Sequence, residues 1–244
     1  MWLEINNISK AFQGKMVLNQ VSFAIEKGKT LAILGKSGCG KTTLLKIIAG
    51  LEQEDSGTIF NNGKDVTNTT LSNRNMVYLF QEALLFPHLN VFENIAFGLR
   101  IKHFSEQEIQ RRTLEMLEAL QLAGMGNKMA NELSGGQKQR VAFGRSLIIK
   151  PTCLLLDEPF SNLDFETRKQ MQLFYKEVAI QFDITTIFVT HDLKESLIMG
   201  EQFGIMEGGM LEIFQDKSSF IESPASGIHQ EKLFWDKLKD NKSE

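Results

Sequence analysis

The segment GKSGCGKT at residues 35–42 constrains the fold of this chain more than any other feature. It follows the apolar run TLAILG at 30–35 and precedes TLLKIIAG at 43–50, whose apolar spacing and terminal glycine predict a helix. Glycines allow the tight turn that aims successive backbone N–H groups at one anion, and the helix start adds its positive end. A glycine-rich turn without a ligand is the alternative, but the flanking strand and helix favour a phosphate-binding loop in an α/β fold.

The residue types in this loop predict how a nucleotide is held. Lys41 supplies a full charge at the β and γ phosphates, and the Thr42 hydroxyl is a ligand for Mg²⁺, which prefers oxygen donors. A nucleotide and Mg²⁺ are therefore the predicted cofactors. The residues predicted to bind the nucleotide from this loop are Gly35, Lys36, Ser37, Gly38, Cys39, Gly40, Lys41, Thr42 and Thr43.

The rest of the chain alternates between short apolar runs and stretches of helical period. Core strands are predicted at 30–35, 75–80, 153–158 and 185–190, and antiparallel pieces at about 2–8, 21–25 and 57–60. The pattern turns helical from about 86 to 150, so a helical subdomain interrupts the sheet. The predicted organisation is an α/β phosphate-loop core spanning 1–222, with an antiparallel β subdomain and the inserted helical subdomain, followed by a polar extension at 223–244. Within that extension, 231–244 reads as a solvated tail or as a weakly amphipathic helix.

Two carboxylates and two further polar residues follow predicted strands. Asp157 and Glu158 end the run CLLLDE; Asp157 is predicted to orient Mg²⁺, and Glu158 to accept the proton of the attacking water as general base. Alone, such residues are ordinary turn formers. Gln81 could bridge Mg²⁺ and the attacking water, whereas His191, directly after TTIFVT, is either a structural histidine or a sensor of the γ phosphate.

Composition and charge exclude several other functions. The formal net charge of −3 provides no field for gathering a nucleic acid. No apolar stretch approaches the roughly 18 residues that a membrane span requires, and the first residues lack a signal-peptide pattern, so a cytoplasmic protein is expected. The two cysteines fit a reducing compartment and lie in no zinc-ligand spacing.

These motifs, together with LSGGQKQR at 133–140, resemble the nucleotide-binding subunit of ABC transporters over about residues 1–225. Ser134, Gly135 and Gly136 resemble an anion nest at a helix start, although a serine-capped helix is the simpler alternative. In the family this signature, with Gln137, closes over the ATP held by a second subunit. The resemblance therefore implies ATP and Mg²⁺ as cofactors, ATPase activity, and a head-to-tail dimer, expected to be a homodimer.

Further roles follow from the resemblance, position by position. Gln81 corresponds to the family's Q-loop glutamine, Ser161–Asp164 to its D-loop, and His191 to its switch histidine. Phe12 stands where such proteins stack an aromatic ring on adenine, with a core aromatic as the alternative. Asp157 and Glu158 keep the metal and base roles predicted above.

The stretch 80–99 resembles the importer branch, which includes spermidine, ferric-iron, sulfate and maltose uptake ATPases. There, integral membrane permease subunits dock a coupling helix, which implies a docking region near Gln81–Val91 and a peripheral location on the cytoplasmic face of the inner membrane. A substrate-binding protein is implied for an importer, and a C-terminal regulatory β-domain is not expected. Leu84, Leu85, Phe86 and Leu89 either line the apolar groove that receives this coupling helix or belong to the ordinary core.

Three other functions remain as alternatives. The first is a soluble ABC-type ATPase that acts as a motor or regulator outside transport, although tandem cassettes, coiled-coil insertions and basic patches are missing from this sequence. The second is a small GTPase or nucleotide kinase, which the signature argues against. The third is a scaffold that dimerises on ATP without hydrolysing it, which the presence of Glu158 and His191 argues against.

Overall fold

The computed structural model describes residues 1–214 and 216–228, and its secondary structure confirms the α/β class. The extension predicted from residue 223 is thus described only as far as 228, and the tail or helix considered at 231–244 lies outside the described residues. The strands are β1 (Leu3–Phe12), β2 (Lys15–Ile25), β3 (Thr30–Leu34), β4 (Ser56–Asn61), β5 (Lys64–Asp65), β6 (Met76–Leu79), β7 (Cys153–Asp157), β8 (Thr186–Thr190), β9 (Gln202–Glu207) and β10 (Met210–Phe214). The α-helices are α1 (Lys41–Ala49), α2 (Leu71–Arg74), α3 (Val91–Ile101), α4 (Glu106–Ala119), α5 (Gly135–Leu147), α6 (Phe165–Gln181), α7 (Leu193–Met199) and α8 (Lys217–Glu222).

The larger sheet has the strand order β10-β9-β3-β8-β7-β6, with all neighbours parallel except β9 and β10. Both of its faces are covered, because alternate residues of one strand enter two different apolar clusters. Phe188 joins the cluster that contains α3 to α6, whereas Ile187 and Val189 join the cluster that contains α1 and the second sheet. A sheet buried on both faces explains the continuous apolar runs in the sequence.

The smaller sheet, in the order β2-β1-β4-β5, is antiparallel and more extensive than predicted. Its first two strands continue to a tight turn at Gly14, where φ is +78°. Register shifts follow Ile5, Ile8 and Lys10 in the β1–β2 pairing. Because each irregularity interrupts the period-2 alternation, the sequence pattern predicts only the open end of the hairpin, at 2–8 and 21–25, and misses the end next to the turn.

The helices between β6 and β7 lie where the inserted subdomain is predicted, but they have no separate core. Ile95 of α3, Leu117 of α4 and Val141 of α5 share one apolar cluster with Leu154 of β7 and Phe188 of β8. The helical insertion is therefore packed directly on the sheet that carries the phosphate loop. In the described part of the chain, no helix combines the length and apolar composition that crossing a membrane requires.

Arg74 joins the helix that follows the phosphate loop to the rest of the core. Its buried guanidinium donates to the carbonyls of Ile47 and Ile48 at 2.6 and 3.0 Å, at the end of α1, and to the carbonyls of Thr67 and Thr69. Burial lowers the pKa of this arginine. These bonds satisfy carbonyls that a helix end otherwise leaves unpaired.

Replacing Arg74 with Met is expected to lower the free energy of unfolding by about 2–4 kcal/mol, because buried carbonyls lose charged donors. The measurement is the urea midpoint and slope of the purified variant. Arg111→Met is the matched control, because its guanidinium is exposed and pairs with the side chains of Glu108 and Glu115. An Arg74→Met midpoint equal to that of the control would contradict the expectation.

Candidate functional site

The phosphate loop connects the end of β3 to the start of α1 at the carboxyl edge of the parallel sheet. Gly38 and Gly40 have φ values of +80° and +112°, which side-chain-bearing residues rarely adopt. A Cβ on Gly40 would also lie 2.8 Å from the carbonyl oxygen of Val17 and 2.9 Å from a methyl carbon of Leu18. The loop therefore needs glycine at position 40 both for its backbone conformation and for space.

A polar cavity of about 400 Å³ lies over this loop. It brings the phosphate loop together with the ends of β6 and β7, as the sequence predicts for a site at the carboxyl edge of a parallel sheet. Its lining residues are Val17, Ser37, Gly38, Gly40, Lys41, Thr42, Thr43, Gln81, Asp157 and Glu158.

Three residues of the predicted loop shape it without lining the cavity. A Cβ on Gly35 would lie 2.5 Å from the carbonyl oxygen of Met206 and 2.8 Å from Cys39 Sγ. The half-buried Cys39 thiol therefore packs back against the loop, and the contribution of Lys36 is its carbonyl oxygen, which accepts from Lys41.

Lys41 is buried, and its ammonium is held by the loop itself. Nζ donates to the carbonyls of Gly35 and Lys36 at 2.6 and 3.1 Å and lies 3.9 Å from Glu158 Oε1. A buried ammonium is costly unless it is paired, and these contacts pair it. The loop thus holds a positive charge in position at one wall of the cavity.

Both carboxylate oxygens of Asp157 are engaged. Oδ1 accepts from the Thr42 hydroxyl at 3.1 Å, and Oδ2 accepts from the Tyr78 hydroxyl at 2.5 Å. Burial and the hydrogen bond to Asp157 raise the pKa of Tyr78 above its ordinary value, so the neutral phenol that donates to Asp157 is favoured further. The sequence motifs do not single out Tyr78. It reaches Asp157 because its strand, β6, pairs with β7.

The oxygen donors at this point fit Mg²⁺. The Thr42 hydroxyl and the Asp157 carboxylate are in contact, and Gln81 adds an amide to the same cavity. Mg²⁺ is normally bound through one or two carboxylates together with substrate phosphates and water. In the described residues no group of three or more His, Cys, Asp or Glu side chains could hold a metal without such a substrate.

Glu158 occupies a strained position between a cation and an imidazole. Its φ of +47° lies in the left-handed region, which is uncommon for residues other than glycine. Oε2 lies 2.8 Å from Nδ1 of His191, whose side chain is 55% exposed, and Oε1 faces Lys41. Such strain recurs at functional sites, where surrounding contacts over-determine the backbone. The structure therefore brings the predicted base and the predicted sensor into direct contact.

Gln81 contacts the segment that follows Glu158. Its amide nitrogen donates to Ser161 Oγ at 2.9 Å and lies 3.4 Å from Asn162 Oδ1, and Ser161 Oγ in turn donates to the carbonyl of Glu158 at 2.9 Å. The D-loop resemblance at Ser161–Asp164 predicts no such contact. The contact of Gln81 with Ser161 ties this glutamine to the backbone of Glu158, the predicted base.

The signature residues lie at a different cavity, of about 240 Å³. Ser134 caps α5: its Oγ accepts from the N–H of Gln137 at 3.3 Å, and the Gln137 side chain accepts from the N–H of Ser134 at 3.0 Å. A Cβ on Gly136 would lie 3.0 Å from Thr167 Cγ2, whereas one on Gly135 would have its nearest neighbour, a methyl carbon of Leu163, at 3.7 Å. No residue of the phosphate-loop cavity is among the residues that line this one, which are Gln121, Ser134, Gly136, Gln137, Arg140, Thr167, Gln170 and Met171.

Two predictions concern the exposure of apolar side chains, at Phe12 and at residues 84–89. Phe12 is 42% exposed at the end of β1, with Lys10 Nζ 5.1 Å from its ring centroid, so the alternative of a core aromatic is wrong. Leu84 is 52% exposed, whereas Leu85, Phe86 and Leu89 are half-buried. Arg145 of α5 holds this stretch: it donates to the Leu84 carbonyl at 2.6 Å, and its guanidinium carbon lies 4.8 Å from the Phe86 ring centroid.

Known proteins resemble this chain along most of its length. The spermidine/putrescine import ATP-binding protein PotA of Aliivibrio fischeri is 46% identical over 222 residues, which cover 91% of this chain and 60% of that protein. The sulfate/thiosulfate import ATP-binding protein CysA of Pectobacterium atrosepticum is 42% identical over 230 residues, which cover 93% of this chain and 70% of that protein. The chain thus spans about 60–70% of the length of these two relatives.

A solved structure and a family model agree with these relatives. The post-hydrolysis dimer of the ATP-binding cassette MJ0796, bound to ADP and Pi, superposes with a TM-score of 0.74 at 29% identity, covering 86% of this chain and 96% of that one. The family model described as ABC transporter matches residues 18–161, more than half of the chain. Together with the phosphate loop and the LSGGQ segment, this match confirms the predicted resemblance: the chain belongs to the ABC transporter family.

Proposed function

We propose that this chain is the ATP-hydrolysing subunit of a membrane importer. The observation that carries the proposal is the convergence of Lys41, Thr42, Asp157 and Glu158 on one polar cavity, beside Gln81 and His191. These groups are the positioned charges and the base that phosphoryl transfer to water requires. The names of the relatives, which are import ATP-binding proteins, support the same activity.

Each side chain has a role in the proposed reaction. Backbone N–H groups of the loop and Lys41 bind the β and γ phosphates. Thr42, Asp157 and Gln81 are the residues that would hold Mg²⁺, which would neutralise phosphate charge. Water attacks the γ phosphorus in line, the bond to the β,γ-bridging oxygen breaks, and ADP leaves. Glu158 takes the proton from the water. His191, which contacts Glu158, is the proposed sensor of the γ phosphate.

ATP is proposed to bind between two copies of the chain. The signature nest at Ser134–Gln137 opens on a cavity that contains no phosphate-loop residue, so within one copy it does not reach the phosphate loop. A head-to-tail homodimer brings the nest of one copy to the γ phosphate held by the other. The dimeric state of the ATP-binding cassette MJ0796 supports this arrangement. Phe12 is exposed and free to stack on adenine in such a complex.

Membrane permease subunits are the proposed partners at Gln81–Val91. This segment begins at the cavity, exposes Leu84, and is held by Arg145 of the helix that the signature starts. A permease seated here would sense the nucleotide through Gln81. We therefore place the chain on the cytoplasmic face of the inner membrane, bound through the permeases, with a separate substrate-binding protein delivering the solute.

The direct test is nucleotide binding and hydrolysis by the purified chain. ATP with Mg²⁺ is expected to bind and to be hydrolysed in preference to GTP, and Lys41→Ala is expected to remove both activities. Lys46→Ala, on the same helix but away from the cavity lining, is the control that should retain both. Hydrolysis that persists at full rate in Lys41→Ala, or no ATP binding by the unmodified chain, overturns the proposal.

Tyr78→Phe is expected to raise the Mg²⁺ concentration needed for half-maximal ATP binding by about tenfold, because Asp157 loses the donor that orients its carboxylate. The measurement is a Mg²⁺ titration of ATP affinity. Tyr175→Phe removes the other tyrosine hydroxyl of the sequence, which bonds Thr186 away from the cavity, and should leave the Mg²⁺ requirement unchanged. Identical titrations for Tyr78→Phe and the unmodified chain would contradict the role.

A further inference from the structure

A buried carboxylate lies behind the candidate site, where α6 and α7 meet. Glu195 is 4% exposed, and its two oxygens accept from the Thr190 hydroxyl at 2.7 Å and from the Gln172 amide at 3.2 Å. Burial raises the pKa of this carboxyl group. Charged groups are rarely retained in such places without a partner, and none of the roles proposed above uses Glu195.

The cation that faces Glu195 is Arg168 of α6. Its Nε lies 4.0 Å from Glu195 Oε1, and its Nη1 lies 3.9 Å from Asp192 Oδ2. Nη2 donates to the carbonyls of Ser161 and Leu163, at 3.3 and 3.1 Å. Arg168 therefore contacts the turn that follows Glu158 on one side and the turn that follows His191 on the other.

Glu195 fixes the backbone on both sides of His191 through its partner Thr190. The Thr190 hydroxyl that donates to Glu195 also accepts from the N–H of Asp192 at 3.0 Å, and the Thr190 carbonyl accepts from the N–H of Gly35 at 3.2 Å. Asp192 in turn caps α7, accepting from the N–H of Glu195 at 3.2 Å. A shift of Glu195 would therefore move the imidazole of His191 relative to the phosphate loop.

Arg168 has the matching effect on the other turn. It donates to the backbone carbonyl of Ser161. The hydroxyl of the same serine donates to the Glu158 carbonyl and accepts from the Gln81 amide. Among the described residues, the buried Nε of Arg168 has no hydrogen-bond partner. A guanidinium kept at ion-pair distance, with one donor left unbonded, is explained poorly by stability alone.

We propose that Arg168 and Glu195 form a pair of positioning residues that sets the spacing between the turn at 161–164 and the turn at 190–192, and thereby the contact between Glu158 and His191. The role rests on the proposed ATPase function. The turn at 161–164 neighbours the signature cavity through Thr167, so the pair connects the surface that meets the second copy with the two reacting side chains of its own copy. Neither side chain touches the cavity in which ATP is proposed to bind.

The test uses the full chain with Glu195→Gln, which keeps the shape of the side chain, and Arg168→Met, which keeps its length. Lys169→Met and Glu177→Gln are matched controls on exposed positions of α6. The first readout is amide hydrogen exchange without nucleotide. Glu195→Gln, located on α7, is expected to accelerate exchange at 161–164, and Arg168→Met to accelerate exchange at 190–195, each several-fold, with α4 unchanged.

The second readout separates binding from turnover. Both variants are expected to lower kcat about tenfold while the ATP dissociation constant changes less than twofold, and the double variant is expected to be no slower than the slower single variant. Three results each overturn the pairing. The first is faster exchange confined to the turn next to the substituted residue, which is 161–164 for Arg168→Met and 190–192 for Glu195→Gln. The others are faster exchange throughout the chain and equal losses in ATP affinity and kcat. If the unmodified chain hydrolyses no ATP, the proposed function fails, and the exchange measurement still decides whether the pair exists.

Discussion

Replacing Glu158 with Gln is expected to lower the rate of ATP hydrolysis at least about 100-fold while leaving ATP binding intact. A positioned general base contributes roughly 10²–10⁴ to a rate, and an amide of the same shape cannot accept the proton. The contact with His191 at 2.8 Å is geometrically available to the amide as well, so the fold of the site should survive. Removal of a negative charge 3.9 Å from Lys41 should not weaken the attraction of that ammonium for phosphate.

The measurement combines steady-state hydrolysis with equilibrium binding of ATP in the presence of Mg²⁺. Glu177→Gln, the same change on the exposed surface of α6, should retain the unmodified rate. An expected companion result is a stable ATP-dependent dimer of Glu158→Gln on gel filtration, because bound ATP is no longer consumed. A variant that retains more than about a tenth of the activity would exclude Glu158 as the base.

The second large effect concerns which copy completes the site. Lys41→Ala removes the phosphate-loop charge, and Gly136→Asp places a carboxylate at the nest, so each single variant is expected to lose hydrolysis roughly 100-fold. If the site is shared between copies, a mixed pair of these two variants has one site with both defects and one site with neither. In a Glu158→Gln background, in which bound ATP is not consumed, each mixed pair isolated through its tags is expected to retain one bound ATP.

The control uses the same substitutions redistributed between the chains. A chain carrying both Lys41→Ala and Gly136→Asp, paired with a chain that carries neither, spoils both shared sites, so this pair should retain no ATP. A site built within one copy predicts the reverse: retention in the control pair and none in the mixed pair of single variants. The comparison needs no permease and decides the arrangement directly.

Local sequence patterns predict the parts of the site that are contiguous in the chain. The loop at 35–42 and the pair Asp157 and Glu158 carry their chemistry in neighbouring residues, and the structure places them at one cavity. Tyr78 escapes such a pattern because its only distinguishing property is the strand beside it. The register of β6 on β7 brings its hydroxyl to Asp157, and the pairing of Met76 with Cys153, 77 positions later, cannot be read from either strand alone.

Arg168 and Glu195 are similarly invisible in the sequence, because an arginine and a glutamate on two helices suggest solvated surface until the helices are packed. The hairpin of β9 and β10 is a different case. It is absent from the predicted strands, although Gly208 and Gly209 between two apolar runs are a recognised hairpin signal. The irregular register of β1 and β2, in contrast, conceals the end of the β1–β2 hairpin next to its turn from any rule based on alternation.

Because the phosphate-loop cavity and the signature cavity share no lining residue, ATP hydrolysis is expected to depend on protein concentration. In the proposed homodimer a two-fold axis would complete both half-sites simultaneously, so assembly would close at two copies and not continue into a filament. Turnover per chain in free solution is then expected to fall as the protein is diluted below the dissociation constant of the dimer. Two copies seated side by side on one permease pair would experience an effective concentration of about a millimolar, so that turnover becomes independent of dilution.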